Sequence, residues 1–487
     1  MRHALWAGLV LVGAGAAFGQ TAPATLDIGD PAPALQVDKW VKGQPVDLAA
    51  VKGKSVVVVE FWATWCSPCL AAVPHLTELQ RKFGPAGVTI IGLTTEDPDN
   101  TLEKVEAFVQ KQGDKLAYTI GYEKEDRTSK AYMDAAGEGG IPTAFVIDKE
   151  GRIAWIGHPA GDLEETLTQL LAGKYDVQRA KQLRRAERDL QTALFSAKWE
   201  DVMKHADTLL ALNPELTEPW HFKIVACLEG LNQPEQALGI AREALSRFTD
   251  KPKALAGLAD QLLGVENHPE FVKLAAQAAK RATDLAPNDI DARLAHFGAL
   301  SASGQQDEAR AWVLATLEIC KTDAPALTQM ADVLGSEMHR TRYGDVALEA
   351  LDRAITAEPQ EPRRLWAKVR LLADMGKTEP AKAAAAELLK KAAEDAGLLN
   401  EAAWTLLTEP PFQGKFNELA LSAAQRCHEV SGGKNWMFLD TLALAKFETG
   451  AVEEAIALEK QALELCPNDR VKPSLQETIE RFQAAKH

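Results

Sequence analysis

Residues 56–69 read VVVVEFWATWCSPC, and this stretch decides the fold of the first part of the chain. The valines from Val56 to Val59 form an uninterrupted β-branched run, which is typical of a strand buried on both faces of a sheet. Cys66 and Cys69 come next, three residues apart, and an apolar segment compatible with a helix follows at residues 70–79. The stretch therefore predicts a buried strand that leads into a helix with both cysteines at its start.

The position of the cysteines predicts thiol–disulfide chemistry. A helix N-terminus presents unpaired N–H groups and the positive end of the helix dipole, so we expect Cys66 to be exposed there with a lowered pKa and assign it as the nucleophile. Cys69 is placed to attack a mixed disulfide on Cys66 and release the substrate. Zinc binding is the alternative for a C-x-x-C pair, but the sequence contains no second pair and no His pair at ligand spacing. We therefore expect no metal and no other cofactor.

The motif from Phe61 to Cys69, with Pro74 and the run Ile141-Pro142-Thr143, resembles the thioredoxin superfamily. Within that superfamily it is most similar to the exported TlpA/ResA-like thiol-disulfide oxidoreductases. The resemblance covers roughly residues 27–173 and implies an α/β thioredoxin fold. It also implies a cis peptide bond before Pro142, which would turn the Ile141 backbone toward a docked peptide. The alternative is an ordinary trans proline that opens a strand.

Glu60 occupies the strand position at which thioredoxins carry a buried acid. Burial should raise its pKa toward neutrality and suit it to move a proton on or off Cys69. The alternative is a carboxylate at the strand end that reaches water. We assign the catalytic role to Cys66, Cys69 and Glu60.

The expected substrate-binding residues surround the cysteines. They are Trp65, Ser67, Pro68, Ile141 and Pro142. We expect Trp65 to form apolar surface beside Cys66, and Trp62 to lie in the core. A peroxiredoxin-like site is not favoured, because that family has Thr three residues before its reactive cysteine and this chain has Ala63 there.

The rest of the first domain predicts alternating strands and helices. Asn100 followed by Glu103 has the pattern of a helix cap, and Glu125 to Ala135 is compatible with another helix. The predicted elements are a leading hairpin within 27–48, strands 55–61 and 88–94, helices from 100 to about 112 and 125–135, a hairpin of strands 143–148 and 152–157, and a closing helix 162–172.

Residues 1–20 have a short basic start, a small apolar middle and an end of small residues, which predicts a secretory signal peptide. An uncleaved anchor is the alternative, but the apolar run is shorter than the ~20 residues that a membrane span needs. No later segment of the sequence is apolar enough to predict a stable membrane span. We expect an exported protein in the periplasm or outside the cell.

From about residue 180 to 487 the sequence predicts an all-α domain, joined to the first domain by a linker near Lys174 to Ala180. Gly450, Ala455, Ala462 and Pro467 match the loop glycine, the two small residues of the second helix and the closing proline of tetratricopeptide repeats (TPR). The first small position recurs every 34 to 39 residues, at Val202, Ala237, Ala275, Ala309, Ala347, Ala381, Ala420 and Ala455. This register predicts about eight repeats in a TPR-like solenoid, capped by a helix near residues 471–486. The concave face of such a solenoid usually binds a peptide or protein.

Four further cysteines fall within the predicted repeats. We interpret Cys227, Cys320, Cys427 and Cys466 as small packing residues. Outside the cytosol they could instead form disulfides, in any of three pairings.

The formal net charge of −15 excludes the strongly basic surface that nucleic-acid binding needs. The sequence thus leads to two hypotheses. The first is an exported thiol-disulfide oxidoreductase that acts on protein thiols and disulfides, exchanges electrons with a redox partner and uses the TPR domain to hold a partner or client. The alternative is a TPR scaffold protein whose thioredoxin fold is regulatory or vestigial.

Overall fold

The computed structural model describes residues 25–98, 100–265, 268–466 and 471–485. The predicted signal peptide at residues 1–20 lies outside these ranges. The chain divides into two compact units, Met1–Asn232 and Gln233–His487. The first unit contains the sheet, and it extends past residue 173, where the sequence predicts that the redox domain ends.

A six-stranded mixed sheet is built around the strand that the valine run predicts. The strands are β1 (Lys39–Lys42), β2 (Val56–Phe61), β3 (Val88–Thr95), β4 (Thr119–Glu123), β5 (Thr143–Ile147) and β6 (Ile153–Gly157), in the order β1-β4-β3-β2-β5-β6. β2 lies in the middle, parallel to β3 and antiparallel to β5. Every residue of β2 is buried, as its apolar sequence predicts.

Helices connect and cover the strands of the first unit. They are α1 (Leu48–Val51), α2 (Ser67–Phe83), α3 (Leu102–Gln112), α4 (Arg127–Ser129), α5 (Leu163–Leu171), α6 (Val177–Phe195), α7 (Trp199–Leu212) and α8 (Glu218–Val225). Short 3₁₀ turns occupy Gly84–Ala86 and Gly113–Lys115, and π-helical turns occupy Lys130–Asp134 and Ala226–Gly230. The order of β2, α2, β3, α3, β4 and the β5–β6 hairpin followed by α5 confirms the predicted thioredoxin-like α/β fold.

One prediction for this unit is wrong, and another, the helix at 125–135, is confirmed with a different start and geometry. Residues 27–48 do not form a hairpin; instead β1 is an edge strand that pairs antiparallel with β4. The helix predicted at 125–135 begins at Arg127 and widens into a π-helical turn, in which the Ala135 N–H donates to the carbonyl of Lys130. The turn buries Tyr132, whose hydroxyl donates to the Pro33 carbonyl at 2.6 Å, so long-range packing sets this local geometry.

Side chains of β2 alternate between two hydrophobic clusters, because successive residues of a strand point to opposite faces. Val56 and Val58 pack in one cluster with Cys66, Cys69 and residues of α2, α3 and α5. The other cluster contains Val57, Val59 and Phe61, and Val177 and Ala180 of α6 pack against it. By the same alternation Glu60 faces the cysteine side of the sheet.

The segment 174–180, which the sequence predicts to be a linker, is attached to the sheet. The Tyr175 hydroxyl donates to the carbonyl of Ala154 in β6, and Asp176 caps α6. Arg184, whose side chain is only 11% exposed, forms ion pairs with Asp27 and Glu138. Helix α6 therefore packs as part of the first unit.

The second unit is all-helical in its described residues. Its helices are α9 (Pro234–Arg247), α10 (Pro252–Leu263), α11 (Pro269–Leu285), α12 (Ile290–Ala302), α13 (Gln306–Cys320), α14 (Ala324–Gly335), α15 (Arg340–Ala357), α16 (Pro362–Asp374), α17 (Thr378–Lys391), α18 (Ala396–Thr408), α19 (Asn417–Val430), α20 (Trp436–Glu448), α21 (Val452–Leu465) and α22 (Lys472–Ala484). Consecutive helices pack as pairs, for example α10 with α11 and α14 with α15.

The predicted small positions share one environment across both units. All eight residues, from Val202 in α7 to Ala455 in α21, are completely buried. A small residue there lets neighbouring helices approach closely, which explains why the position recurs with the repeat. Helix α22 lies where the capping helix is predicted. Pro467, the predicted closing residue of the last repeat, lies outside the described ranges.

The four cysteines of the helical region are buried and form no disulfide among the described residues, as their interpretation as packing residues predicts. No helix in the described ranges is both long and apolar enough to cross a membrane.

Candidate functional site: a disulfide at a helix N-terminus

Cys66 and Cys69 form a disulfide at the start of α2, with their Cα atoms 5.2 Å apart. Cys66 is the N-cap of the helix, as predicted, and its sulfur accepts a hydrogen bond from the Cys69 N–H at 3.2 Å. This N–H is one of those that a helix leaves without an internal partner. It is therefore placed to stabilise negative charge on the Cys66 sulfur when the disulfide opens.

The two sulfurs differ little in exposure. Cys66 is 4% exposed and Cys69 is 1% exposed, so the expectation of an openly exposed Cys66 is wrong for the oxidised form. The cause is packing, because both side chains belong to the cluster between β2 and α2. Only a small part of the Cys66 surface is therefore open to an attacking thiol.

The Ile141–Pro142 peptide bond is cis, which confirms the prediction. The Ile141 carbonyl oxygen lies 3.8 Å from the Cys66 sulfur. Strand pairing explains this closeness: Phe61 at the end of β2 pairs with Thr143 at the start of β5. The chain that leaves β2 toward the cysteines therefore runs beside the chain that enters β5 through Pro142.

Glu60 lies beneath the cysteine helix, 1% exposed, between Gly92 of β3 and Ala144 of β5. Burial raises the pKa of its carboxyl group to about 8, in the predicted direction. Its Oε2 atom and the Trp62 indole nitrogen have no hydrogen-bond partner among the described residues. Gly92 packs against this group without a side chain. A Cβ atom at this position would lie only 3.0 Å from the Trp62 indole nitrogen and 3.1 Å from the Tyr118 ring, so a larger residue would crowd both. The burial of Tyr118 itself, together with the charge of Glu60, raises the pKa of the Tyr118 hydroxyl.

The other predicted site residues surround the disulfide. Trp65 is 55% exposed and Trp62 is buried, as expected. Ser67 is the first residue of α2, and Pro68 is exposed in the first turn of that helix. Ile141 is half-buried and Pro142 is buried. The structure thus brings all eight predicted site residues to one end of β2.

Comparison with known proteins places this site in a family. Residues 28–156 match the model of the AhpC/TSA family. The ResA thiol-disulfide oxidoreductases of Bacillus thuringiensis (strain Al Hakam) and Bacillus anthracis are each 36% identical over 128 residues, which is 26% of this chain and 68% of the relative. The chain belongs to the ResA-like thiol-disulfide oxidoreductases. A solved thioredoxin-family thiol:disulfide interchange protein from Chlorobium tepidum TLS is 28% identical and covers 29% of this chain and 96% of its own, with a TM-score of 0.25.

This ResA-like protein also has site residues that the sequence reasoning missed. Asn100, predicted to cap α3, is instead fully buried and bonded to Thr64, two residues before Cys66. The N-cap of α3 is Thr101, whose hydroxyl accepts from the Lys104 N–H. The indole N–H of Trp65 donates to Asp97 at 2.9 Å. The sequence signal that could have found these residues is the polar loop directly after β3. β3 is parallel to β2, so the carboxyl ends of the two strands lie side by side and this loop begins next to the cysteine loop.

No metal site accompanies the disulfide in the described ranges, where no three His, Cys, Asp or Glu side chains are grouped to hold an ion. Thiol–disulfide exchange is the activity that the relatives' name states, and in this chain the Cys66–Cys69 pair is the group that can exchange with external thiols or disulfides.

Proposed function

We propose that this protein is an exported thiol-disulfide oxidoreductase that exchanges electrons with protein thiols and disulfides. The observation that carries the proposal is the Cys66–Cys69 disulfide at the N-terminus of α2, close to the Ile141 carbonyl and on the same side of the sheet as buried Glu60.

In the reductive direction, the Cys66 thiolate attacks one sulfur of a client disulfide. A bond forms between the Cys66 sulfur and that sulfur, and the second client sulfur leaves as a thiolate that takes a proton from water. Cys69 then loses its proton and attacks the Cys66 sulfur. The Cys66–Cys69 disulfide forms as the bond between the Cys66 sulfur and the client sulfur breaks. The client sulfur leaves as a thiolate that takes a proton from water, so the client disulfide has gained two electrons in total. The same steps in reverse oxidise a client dithiol.

Glu60 is proposed to hold the proton that Cys69 exchanges. With its pKa raised to about 8, the carboxyl group is mostly protonated at neutral pH. When an external thiol opens the disulfide, the buried Cys69 sulfur becomes a thiolate, and a neutral acid nearby can protonate it. In the opposite step the ionised carboxylate accepts the Cys69 proton.

The substrate-binding role is assigned to Trp65, Ser67, Pro68, Ile141 and Pro142. The exposed Trp65 indole offers apolar surface next to the disulfide. The Ile141 backbone is available to pair with an extended client segment, because the cis-proline loop runs beside Cys66. A client would then be held by its main chain, which suits an enzyme that acts on many proteins.

A peroxide-reducing site, which the name of the matched family model could suggest, is less well supported. Ala63 stands three residues before Cys66, and the Thr64 hydroxyl donates to Asn100 at 2.9 Å. The disulfide also joins two cysteines of one helical turn, which is the arrangement of a dithiol exchanger.

The helical repeats are proposed to bind a protein partner or client in the manner of TPR domains. Support comes from the recurring buried small position and the paired helices. A surface groove of about 490 Å³ lies among α19, α20 and α21, with Leu442, Leu458 and His428 in its lining. Export is supported by the signal-peptide pattern in residues 1–20. It predicts a mature N-terminus near Gly19 to Ala22, which mass spectrometry of the secreted protein would identify.

Reduction of insulin by a dithiol donor tests the catalytic proposal. The protein should accelerate precipitation of the insulin B chain, and Cys66→Ser should abolish the acceleration. Cys320→Ala is the matched control, since Cys320 is a buried, unpaired cysteine of the second unit, and it should keep the wild-type rate. Equal rates for Cys66→Ser and the wild type would refute the proposal and favour the scaffold hypothesis.

A further inference from the structure

Two residues of the loop after β3, Asp97 and Asn100, contact the approach to the cysteines. We infer that Asn100 and Asp97 are positioning residues of the redox site: Asn100 fixes the backbone before Cys66, and Asp97 fixes the Trp65 indole as a preformed docking surface for the client. This inference rests on the proposed function. It adds two positioning residues, Asp97 and Asn100, that lie outside both the cysteine motif and the cis-proline loop.

Asn100 is completely buried, and its side-chain amide is hydrogen-bonded on both sides. Its Oδ1 accepts from the Thr64 N–H and from the Thr64 hydroxyl, both at 2.9 Å. Its Nδ2 donates to the Thr94 hydroxyl and to the Thr95 carbonyl, both at 2.7 Å. The orientation of the amide is fixed by these partners, because an N–H can only donate and a carbonyl can only accept.

This bonding connects the end of β3 to the start of the reactive loop. The Thr94 hydroxyl donates in turn to the Trp62 carbonyl at 2.6 Å. The backbone is therefore tied to β3 at Trp62 and through Asn100 at Thr64, on either side of Ala63. Since Thr64 lies two residues before the helix N-cap, its position determines how the Cys66 sulfur meets the Cys69 N–H.

Asp97 acts on the next residue. Its Oδ2 accepts from the Trp65 indole N–H at 2.9 Å, although the Trp65 side chain is mostly exposed. An exposed indole without this bond would sample several rotamers, and ordering it on client binding would cost conformational entropy. With the bond in place the indole is already ordered in the free protein, so client binding loses less conformational entropy. Asp97 is itself held in the loop, since the Asn100 N–H donates to its carbonyl at 3.0 Å.

The two contacts should affect different measurements. Loss of the Asn100 bonds should change the reactivity of Cys66 without any client present, because it loosens the N-cap geometry that stabilises the thiolate. Loss of the Asp97 bond should leave Cys66 reactivity unchanged and weaken client binding. Substitution of a residue that only stabilises the fold should change neither the reactivity of Cys66 nor client binding.

The first experiment measures the rate of Cys66 alkylation by iodoacetamide against pH in the reduced full-length protein. Asn100→Ala should lower the rate at neutral pH about fivefold to tenfold and move the midpoint of the profile to higher pH, as expected if the loosened backbone no longer holds the Cys69 N–H against the Cys66 sulfur. Thr77→Val is the matched control. Thr77 is also buried, and its hydroxyl links α2 to the carbonyl of Lys115, so this variant should lose stability and keep the wild-type profile.

The second experiment measures KM and kcat for a peptide disulfide. Asp97→Ala should raise KM about threefold to tenfold with kcat unchanged, from the entropy of an unfixed indole. Asp97→Asn retains an acceptor oxygen and should stay within twofold of the wild type. If Asn100→Ala does not fold, the Asp97 pair decides the inference.

An Asn100→Ala profile identical to that of Thr77→Val would overturn the role of Asn100, and an unchanged KM in Asp97→Ala would overturn the role of Asp97. The alkylation profile requires no client turnover. It therefore distinguishes failure of this inference from failure of the proposed function, which insulin reduction tests.

Discussion

Replacing Glu60 by Gln should remove a pH dependence of stability that the buried carboxyl group creates. Burial raises the pKa of Glu60 from 4.5 to about 8. Between these values the folded protein holds a proton that the unfolded chain releases, so folding stability falls as pH rises. Each unit of difference in pKa corresponds to about 1.4 kcal/mol. Because of this carboxyl group, the free energy of unfolding should be about 5 kcal/mol lower at pH above 8 than at pH below 4.5.

Gln has nearly the same shape and does not ionise, so Glu60→Gln should be increasingly more stable than the wild type from pH 5 to pH 8. Hydrogen-exchange mass spectrometry in urea, on peptides that contain β2 of the oxidised full-length protein, measures the local free energy of opening. The difference between variant and wild type should grow by about 1.4 kcal/mol per pH unit.

Glu123→Gln is the matched control. Glu123 is also a buried glutamate of the sheet, but its carboxylate accepts from the N–H groups of Thr128 and Ser129 and from the Thr95 hydroxyl. An amide nitrogen there would face N–H donors, so this variant should be less stable than the wild type. A difference between Glu60→Gln and wild type that stays constant from pH 5 to 8 would refute the reasoning about burial.

The same substitution tests the proposed proton transfer. If Glu60 exchanges a proton with Cys69, Glu60→Gln should slow resolution of a mixed disulfide on Cys66 and leave the initial attack by Cys66 nearly unchanged. Stopped-flow measurement of both steps between pH 6 and 8 separates them. An unaltered resolution rate would leave Glu60 with a structural role only.

Three further outcomes are expected. In the reduced protein iodoacetamide should modify Cys66 before Cys69, because Cys66 is the N-cap and its sulfur accepts the Cys69 N–H, which favours its thiolate. Faster modification of Cys69 in peptide mapping would reverse their roles. Alkylation of the native protein should spare the four buried cysteines of the helical region. Burial raises the pKa of three of them, Cys227, Cys320 and Cys427, and so disfavours their thiolates. Modification of any of the four without denaturant would contradict this packing. Arg184→Ala should destabilise the first unit by about 2 kcal/mol in urea unfolding, because Glu138 loses its ion-pair partner and Asp27 keeps only Arg188. Arg185→Ala, at a side chain that is 79% exposed, should change stability by less than about 0.5 kcal/mol, and equal effects would show that α6 does not depend on the Arg184 ion pairs.

The sequence predicted those features that depend on local pattern. The valine run specified β2, the helix start specified the N-cap position of Cys66, and the recurring small residue specified the helix pairs from α7 to α21. The motif likeness to thioredoxins correctly predicted the cis bond before Pro142. Each of these follows from residues that are near one another in the chain or from a motif of known geometry.

Features that depend on distant partners were missed or misjudged. Asn100 has the pattern of a helix cap, yet its buried amide bonds to Thr64, 36 residues earlier. Arg184 lies in a helix that the sequence assigns to the repeats, yet it pairs with Asp27 and Glu138 of the first unit. In both cases the residue type is compatible with several partners, and only the tertiary fold selects one of them.

Trapping of the mixed disulfide tests the central claim most directly. In Cys69→Ser the resolving sulfur is absent, so a disulfide between Cys66 and a client cysteine should accumulate when the reduced variant meets an oxidised protein substrate. Mass spectrometry of the digested complex should find the client peptide attached to the peptide that contains Cys66, and Cys66→Ser should form no comparable adduct. Adducts that form equally in both variants, or on one of the four buried cysteines instead, would contradict the assignment of Cys66 as the nucleophile of this oxidoreductase.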